Sequence, residues 1–289
     1  MSEETNCTPS DCEGCPSAGN CGSANHGDNN GDANAHAAPQ SMMVEQNAYS
    51  NIKNVIAVVS GKGGVGKSLV TASLARLIRE QGFEVGILDA DITGPSIPKM
   101  YGLHDKAKAY DEGMVPEEAK DGTKIMSVNL LLENESDPVV WRSPIITGVV
   151  KQFFTDVIWN ELDYLFIDMP PGTGDVPLTV FQSIPINGIV IVTSPQDLVQ
   201  MIVEKAINMA NLMKIPVLGI VENYSYITCP DCGKKIEVFG SSKVDELAAK
   251  YEVPVLGKIP IDPKLAKAVE EEMFAEVNVE YLADAVNKI

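Results

Sequence analysis

The chain reads as an α/β protein built on a doubly wound, mostly parallel sheet. Three observations predict this. Short apolar runs of strand length alternate with segments whose apolar residues recur at helical spacing. The runs are apolar throughout instead of alternating with polar residues, as in strands covered on both faces. A glycine-rich stretch, Gly61-Lys62-Gly63-Gly64-Val65-Gly66-Lys67-Ser68, joins the first run to the first helical segment. Doubly wound sheets collect ligands at such strand ends.

The first strand is expected at Val55–Val59, apolar at every position. Further strands are expected at Val85–Leu88, Lys124–Val128, Asp163–Ile167, Gly188–Thr193, Pro216–Val221 and Pro254–Gly257. Helical spacing predicts helices over 67–81, 144–158, 176–183, 196–213, 241–251 and 263–288. The folded body is therefore assigned to 48–289 and a tail with a linker to 1–47.

Composition narrows the partners. The 289 residues hold 22 Lys and Arg against 40 Asp and Glu, a formal charge of −18. That balance argues against a nucleic-acid surface and against binding anionic membranes. No apolar run is long enough to span a bilayer. No nucleic acid and no membrane are expected as partners, and a cytoplasmic location is.

The first 41 residues contain no Val, Ile, Leu, Phe, Tyr or Trp, so hydrophobic collapse cannot fold them. They lack the basic start and apolar stretch of a signal peptide. Residues 22–41 read as a flexible linker, with His26 and His36 solvated. Yet Cys7, Cys12, Cys15 and Cys21 lie there in the spacing C-x4-C-x2-C-x5-C. A disulfide pair, a four-cysteine zinc site and a [4Fe–4S] cluster all suit four such thiols. A reducing compartment disfavours the disulfide, leaving zinc or iron–sulfur open.

The stretch Gly61–Ser68 has the chemistry of a phosphate-binding loop. Its glycines let successive N–H groups turn inward, and a helix N-terminus stands behind them. Gly61-x-Gly63-x-x-Gly66, with Asp89 downstream, also fits a dinucleotide fingerprint. Lys67 and Ser68 decide for a nucleoside triphosphate, since Lys67 can reach β- and γ-phosphates and Ser68 can hold Mg²⁺. Asp89 and Asp91 follow the second strand, and Asp168 ends a later one. These positions suit carboxylates that serve Mg²⁺ and an attacking water, although Asp89 could merely cap its loop. Asn223 and Pro260 lie at two further strand ends, where a base could be held.

Cys229-Pro230-Asp231-Cys232-Gly233 supplies two thiols where a tetrahedral site wants four. It is either a redox pair or half of a metal or cluster site shared across a dimer axis. The Pro/Gly turn, outside any βαβ redox context, favours the shared site.

Lys62 before Lys67 resembles the deviant Walker A of the nitrogenase-reductase and division-site ATPase class. The fuller set is similar to the Mrp/ApbC/Nbp-type iron–sulfur cluster carriers. That set is Asp89-Ala-Asp-Ile-x-Gly-Pro-Ser96, Trp141-Arg142, Asp168-x-Pro-Pro-Gly-Thr-Gly-Asp175, Thr193-x-Pro-Gln-Asp197, Glu222-Asn223 and Cys229-Pro-x-Cys-Gly233. The resemblance implies a P-loop ATPase with slow, switch-like hydrolysis, acting as a homodimer. Gly61 to Ser68 would bind ATP, Lys62 would act on the partner's phosphates, and Lys67 and Ser68 would serve phosphates and Mg²⁺. Asp91 would position the hydrolytic water, Asp168 would be the Walker B acid, and Asn223 would lie near the adenine. Cys229 and Cys232 would hold a bridging [4Fe–4S] cluster destined for apo iron–sulfur proteins, with scaffold proteins as further partners. The tail cysteines resemble the extra cluster site of the Nbp branch, except that Cys7 stands closer to Cys12 than is usual there. The alternative is a MinD/ParA-type positioning ATPase with a structural zinc site. An electron-transferring reductase and a tail-anchor chaperone fit the cysteine placement and the scattered methionines less well.

Overall fold

The computed structural model describes residues 43–289, except 135, 136, 138, 196–198 and 278. Cys7, Cys12, Cys15, Cys21 and Asp197 lie outside the described residues.

The apolar runs form strands, and the first half of the body runs β1 (Asn51–Ser60), α1 (Lys67–Glu80), β2 (Val85–Asp89) and α2 (Ile97–Met100). Next come β3 (Lys108–Tyr110), β4 (Gly113–Val115), β5 (Glu117–Glu118), β6 (Lys124–Met126) and α3 (Ser143–Thr155). The second half runs β7 (Glu161–Asp168), α4 (Asp175–Ser183), β8 (Gly188–Thr193), α5 (Val199–Met213) and β9 (Val217–Glu222). It closes with β10 (Ile227–Thr228), β11 (Lys235–Ile236), α6 (Val244–Lys250), β12 (Val255–Lys258), α7 (Pro263–Glu270) and α8 (Ala283–Val286).

Among the described residues eight strands form the main sheet, ordered β12-β9-β8-β1-β7-β2-β6-β5. Every pairing is parallel except that of the short edge strand β5 with β6. β1 lies at the centre, with β7 on one side and β8 on the other. Its side chains alternate between two cores. Val55, Ala57 and Val59 face Phe153 and Phe154 of α3 and Ile207 of α5. Ile56 and Val58 face Leu74 and Ile78 of α1, together with Phe274 and Leu282 from the C-terminal segment. Each large side chain buried in these layers contributes about 1.5–3 kcal/mol. This two-sided burial is why the central strands are apolar at consecutive positions where they cross the two cores. It also aligns the C-terminal ends of β1, β2, β7 and β9 along one edge.

Residues ahead of β1 pack on this body too. Val44 lies against the core, its N–H donating to Ser183 O at 2.7 Å.

Two expected helices are shorter than their spacing suggests. The single helix expected over 263–288 stops at Glu270, turns at Glu272 (φ 61°) and continues as two 3-10 turns, Phe274–Glu276 and Glu280–Leu282, before α8. Glu270, Glu271 and Glu272 put negative charge at a helix C-terminus, where the macrodipole opposes it. Burial of Phe274 and Leu282 then draws the chain back onto α1, where Arg76 Nη1 donates to Phe274 O at 2.7 Å. The helix expected to reach 158 ends at Thr155, because Trp159 turns inward. Its indole N–H donates to Phe153 O at 3.0 Å, and the ring is fully buried. The hairpins β3–β4 and β10–β11 escape sequence reading because strands of two or three exposed residues carry no periodicity. Among the described residues no helix is long and apolar enough to cross a membrane.

Candidate functional site

The glycine-rich loop leaves β1 and enters α1 as expected. Gly64 (φ 78°) and Gly66 (φ 83°) occupy the left-handed region that side chains resist. At Gly66 a second constraint applies, since a Cβ there would stand 2.0 Å from Asn223 Nδ2. Gly61 needs no unusual φ, yet a Cβ would collide with Ile202 of α5 at 1.3 Å. Val65 is buried beneath the loop, and Gly66 caps α1 with Val70 N–H donating to its carbonyl at 3.1 Å.

Three carboxylates gather behind this loop because β2 and β7 pair in register, Asp89 opposite Asp168. Lys67 Nζ lies 2.7 Å from Asp168 Oδ2 and 3.8 Å from Asp91 Oδ2. It is close enough for an ion pair with Asp168 but not aligned as a hydrogen bond. An ammonium buried in this way still has N–H groups to offer an incoming phosphate. Ser68 Oγ donates to Asp168 Oδ2 at 2.6 Å and Thr71 Oγ1 to Asp168 Oδ1 at 2.7 Å. Sequence reading missed Thr71. Its signal is its spacing three residues beyond Ser68, which brings both hydroxyls to one face of α1.

Asp89 is fully buried. It accepts from Asp91 N–H (3.2 Å), Ile97 N–H (3.4 Å) and Ser127 Oγ (3.2 Å), and so holds the loop that carries Asp91. Burial, with Asp168 alongside, pushes Asp89 up to about 7, while Lys67 opposes the rise. The capping reading of Asp89 thus describes its contacts better than a role toward Mg²⁺. Asp91 is partly buried and is also raised, by burial first, with Lys67 drawing it back down.

A cleft of about 660 Å³ opens over the loop. Gly63, Gly64, Gly66, Lys67 and Ser68 line it, with Asp91 and Pro171. Pro260, Tyr224, Leu265, Ala266 and Val269 add apolar lining, of the kind a base needs. Lys99 and Ser96 also line the cleft, which sequence reading had not foreseen. Asn223 lines it too, but its amide is already engaged. Nδ2 donates to Val65 O at 3.0 Å and Oδ1 accepts Tyr224 N–H at 2.9 Å. Lys62 is partly exposed and is not among the cleft-lining residues, although Ser60 Oγ donates to its carbonyl at 3.1 Å.

Cys229 and Cys232 sit at the tip of the β10–β11 hairpin. Cys229 N–H donates to Lys234 O and Gly233 N–H to Cys229 O, each at 2.9 Å. Both thiols are free, Cys229 half-buried and Cys232 exposed. Backbone N–H groups of Cys232 and Asp231 turn toward the Cys229 sulfur and hold its thiol below the ordinary range. Ile236, Val238 and Phe239 are exposed around the hairpin. Among the described residues no three His, Cys, Asp or Glu side chains come together as a metal site.

A ParA-group family model described as NUBPL iron-transfer P-loop NTPase matches residues 51–289. An iron–sulfur cluster carrier protein of Clostridium perfringens is 51% identical over 240 residues, covering 79% of this chain and 84% of that protein. Another so named, from Methanocaldococcus jannaschii, is 44% identical over 262 residues, covering 90% and 87%. Among solved structures, a nucleotide-binding protein of Archaeoglobus fulgidus in complex with ADP matches with TM-score 0.71 at 49% identity, covering 78% of this chain and 88% of that one. The cell division ATPase MinD of Pyrococcus furiosus matches with TM-score 0.58 at 19% identity, covering 81% and 97%, a likeness of fold alone. The family match begins at the first residue of β1 and runs to the last of the chain, and on it the chain belongs to the family of NUBPL-type iron-transfer P-loop NTPases.

Proposed function

We propose that the protein binds and hydrolyses ATP and carries a [4Fe–4S] cluster between two copies of itself for delivery to apo iron–sulfur proteins. One observation carries the reading. A cleft lined by the phosphate loop opens beside the C-terminal end of β9, and the hairpin that follows β9 carries two free thiols where a tetrathiolate cluster takes four.

The loop from Gly61 to Ser68 would wrap the phosphates with backbone N–H groups. Lys67 would leave Asp168 for the β- and γ-phosphates, and Asp91 would orient the water that attacks the γ-phosphorus, giving ADP and phosphate. The Ser68 hydroxyl backed by Asp168 is a hard oxygen set that fits Mg²⁺, which when bound would offset charge on the phosphate oxygens. Lys62, off the cleft of its own chain, would reach the nucleotide of the partner protomer. Pro260 and Asn223 would flank the adenine, Asn223 through its hold on the loop. Hydrolysis would be slow and act as a switch between protomer arrangements that keep or release the cluster. The residues ahead of Val44, which itself packs on the body, would form a tail, with Cys7, Cys12, Cys15 and Cys21 as a second centre, and scaffold proteins would supply clusters.

The test is transfer. Anaerobically reconstituted protein should restore activity to an apo-enzyme that needs a [4Fe–4S] cluster. A variant carrying both Cys229→Ala and Cys232→Ala should not. Undiminished transfer by that variant would end the bridging-site reading.

A further inference from the structure

One buried acid takes no part in the chemistry above. Glu222, the last residue of β9, is fully enclosed and its carboxylate is bound at both oxygens. Ser225 Oγ donates to Oε2, and Ser242 Oγ donates to Oε1 at 2.6 Å. Ser242 in turn accepts Val244 N–H at 3.2 Å at the start of α6. Ser225 and Ser242 are the two roots of the segment 226–241, which contains the hairpin and both cysteines. A single carboxylate therefore holds both ends of the cysteine loop.

Its neighbour in sequence holds the other site. Asn223 Nδ2 donates to Val65 O in the phosphate loop and packs against Gly66 so closely that no Cβ would fit. Asn223 N–H is fixed to Thr193 O at 2.8 Å, and Ser225 N–H to Ile259 O at 2.9 Å, so this turn has little freedom of its own. A shift of the phosphate loop on nucleotide binding would pass through Asn223 to the backbone of Glu222 and thence to both loop roots.

We infer that Glu222 is a positioning residue that clamps the roots of the cysteine loop and, through Asn223, couples it to the phosphate loop. The inference deepens the carrier reading and rests on it. Coupling of this kind is reciprocal, so cluster loading must alter nucleotide affinity as much as nucleotide alters cluster retention.

The experiment measures ATP affinity of the dimer with and without a reconstituted [4Fe–4S] cluster, for wild type, Glu222→Gln and Ser242→Ala. In wild type, loading should change ATP affinity by roughly fivefold or more. In both variants the change should fall to within about twofold, while cluster-free ATP affinity stays near the wild-type value. Glu222→Gln keeps the shape but turns one acceptor into a donor against a serine hydroxyl. Ser242→Ala removes one root contact and keeps the carboxylate, should the first variant fold poorly. Loss of the cluster from Glu222→Gln with ATP binding intact also supports the clamp. Coupling of wild-type size in both variants would overturn it and leave the carrier reading standing. If wild type loads no cluster on Cys229 and Cys232, the carrier reading itself fails and the clamp with it. A merely structural role would lower melting temperature and ATP affinity together and leave the loaded-to-unloaded ratio unchanged, which also counts against the clamp.

Discussion

The phosphate loop and the cysteine hairpin stand at the same edge of the sheet and are built in opposite ways. The loop is embedded: Val65, Lys67 and Asp168 are buried, Lys67 meets carboxylates from β7 and from the loop after β2, and backbone torsions are set by glycine. The hairpin rests on two strands of two residues each and exposes Cys232 with Ile236, Val238 and Phe239. The difference teaches what each site lacks. The loop's own chain furnishes the cleft, to which, under the proposed function, a second copy would add only its Lys62. The hairpin offers two thiols, and the proposed bridging cluster would take two more from a second copy.

Substitutions can break this contrast, and the largest effect belongs to the buried side. Lys67→Ala should abolish hydrolysis and cut ATP affinity roughly a hundredfold or more, measured by calorimetric titration. It also strands Asp168 without its cation, so denaturant unfolding should show a loss of about 3 kcal/mol. Next comes Lys62→Ala, which should remove hydrolysis and change ATP affinity by no more than a few-fold, because Lys62 does not line the cleft of its own chain. Full hydrolysis in that variant would mean that the partner contributes nothing to the site.

Asp89 sharpens the contrast through pH. Its carboxyl titrates at about 7 in the fold and near 3.8 when unfolded, so the folded chain keeps a proton that the unfolded chain gives up. Stability from this group is complete below about pH 4, falls as pH rises toward 7, and is flat above, with a slope approaching 1.4 kcal/mol per pH unit at most (about one proton). Asp89→Asn should flatten that part of the stability curve, read by chemical denaturation between pH 5 and about 8. An unchanged slope would remove Asp89 from the account. The smallest effect belongs to the exposed side. Cys229→Ser with Cys232→Ser should shift folding stability by less than about 0.5–1 kcal/mol while eliminating cluster retention.

How far the sequence could be read follows the same division. The strands, their parallel pairing and the phosphate loop were legible, because burial on both faces and close backbone approach to an anion each restrict residue type sharply. Thr71 and Lys99 were not, since they join the site through helix geometry and loop packing that no motif records. The C-terminal helix was misjudged where three glutamates and a buried Phe274 outweigh apolar spacing. Asn223 lines the cleft as expected of a strand-end residue, and what no motif records is that its amide donates to Val65 O, a contact set by the turn after β9. The cysteine pair was visible as chemistry and open as a site, because the body holds no cysteine besides Cys229 and Cys232.

The most direct test is therefore stoichiometric. The four tail cysteines, Cys7, Cys12, Cys15 and Cys21, are replaced by serine, the protein is purified anaerobically, and iron, sulfide and zinc are counted alongside native mass spectrometry. The account predicts a dimer with one [4Fe–4S] cluster, about two iron and two sulfide per chain, lost in the Cys229→Ala, Cys232→Ala variant. Stoichiometric zinc with no iron, or a cluster held by a monomer, would contradict it.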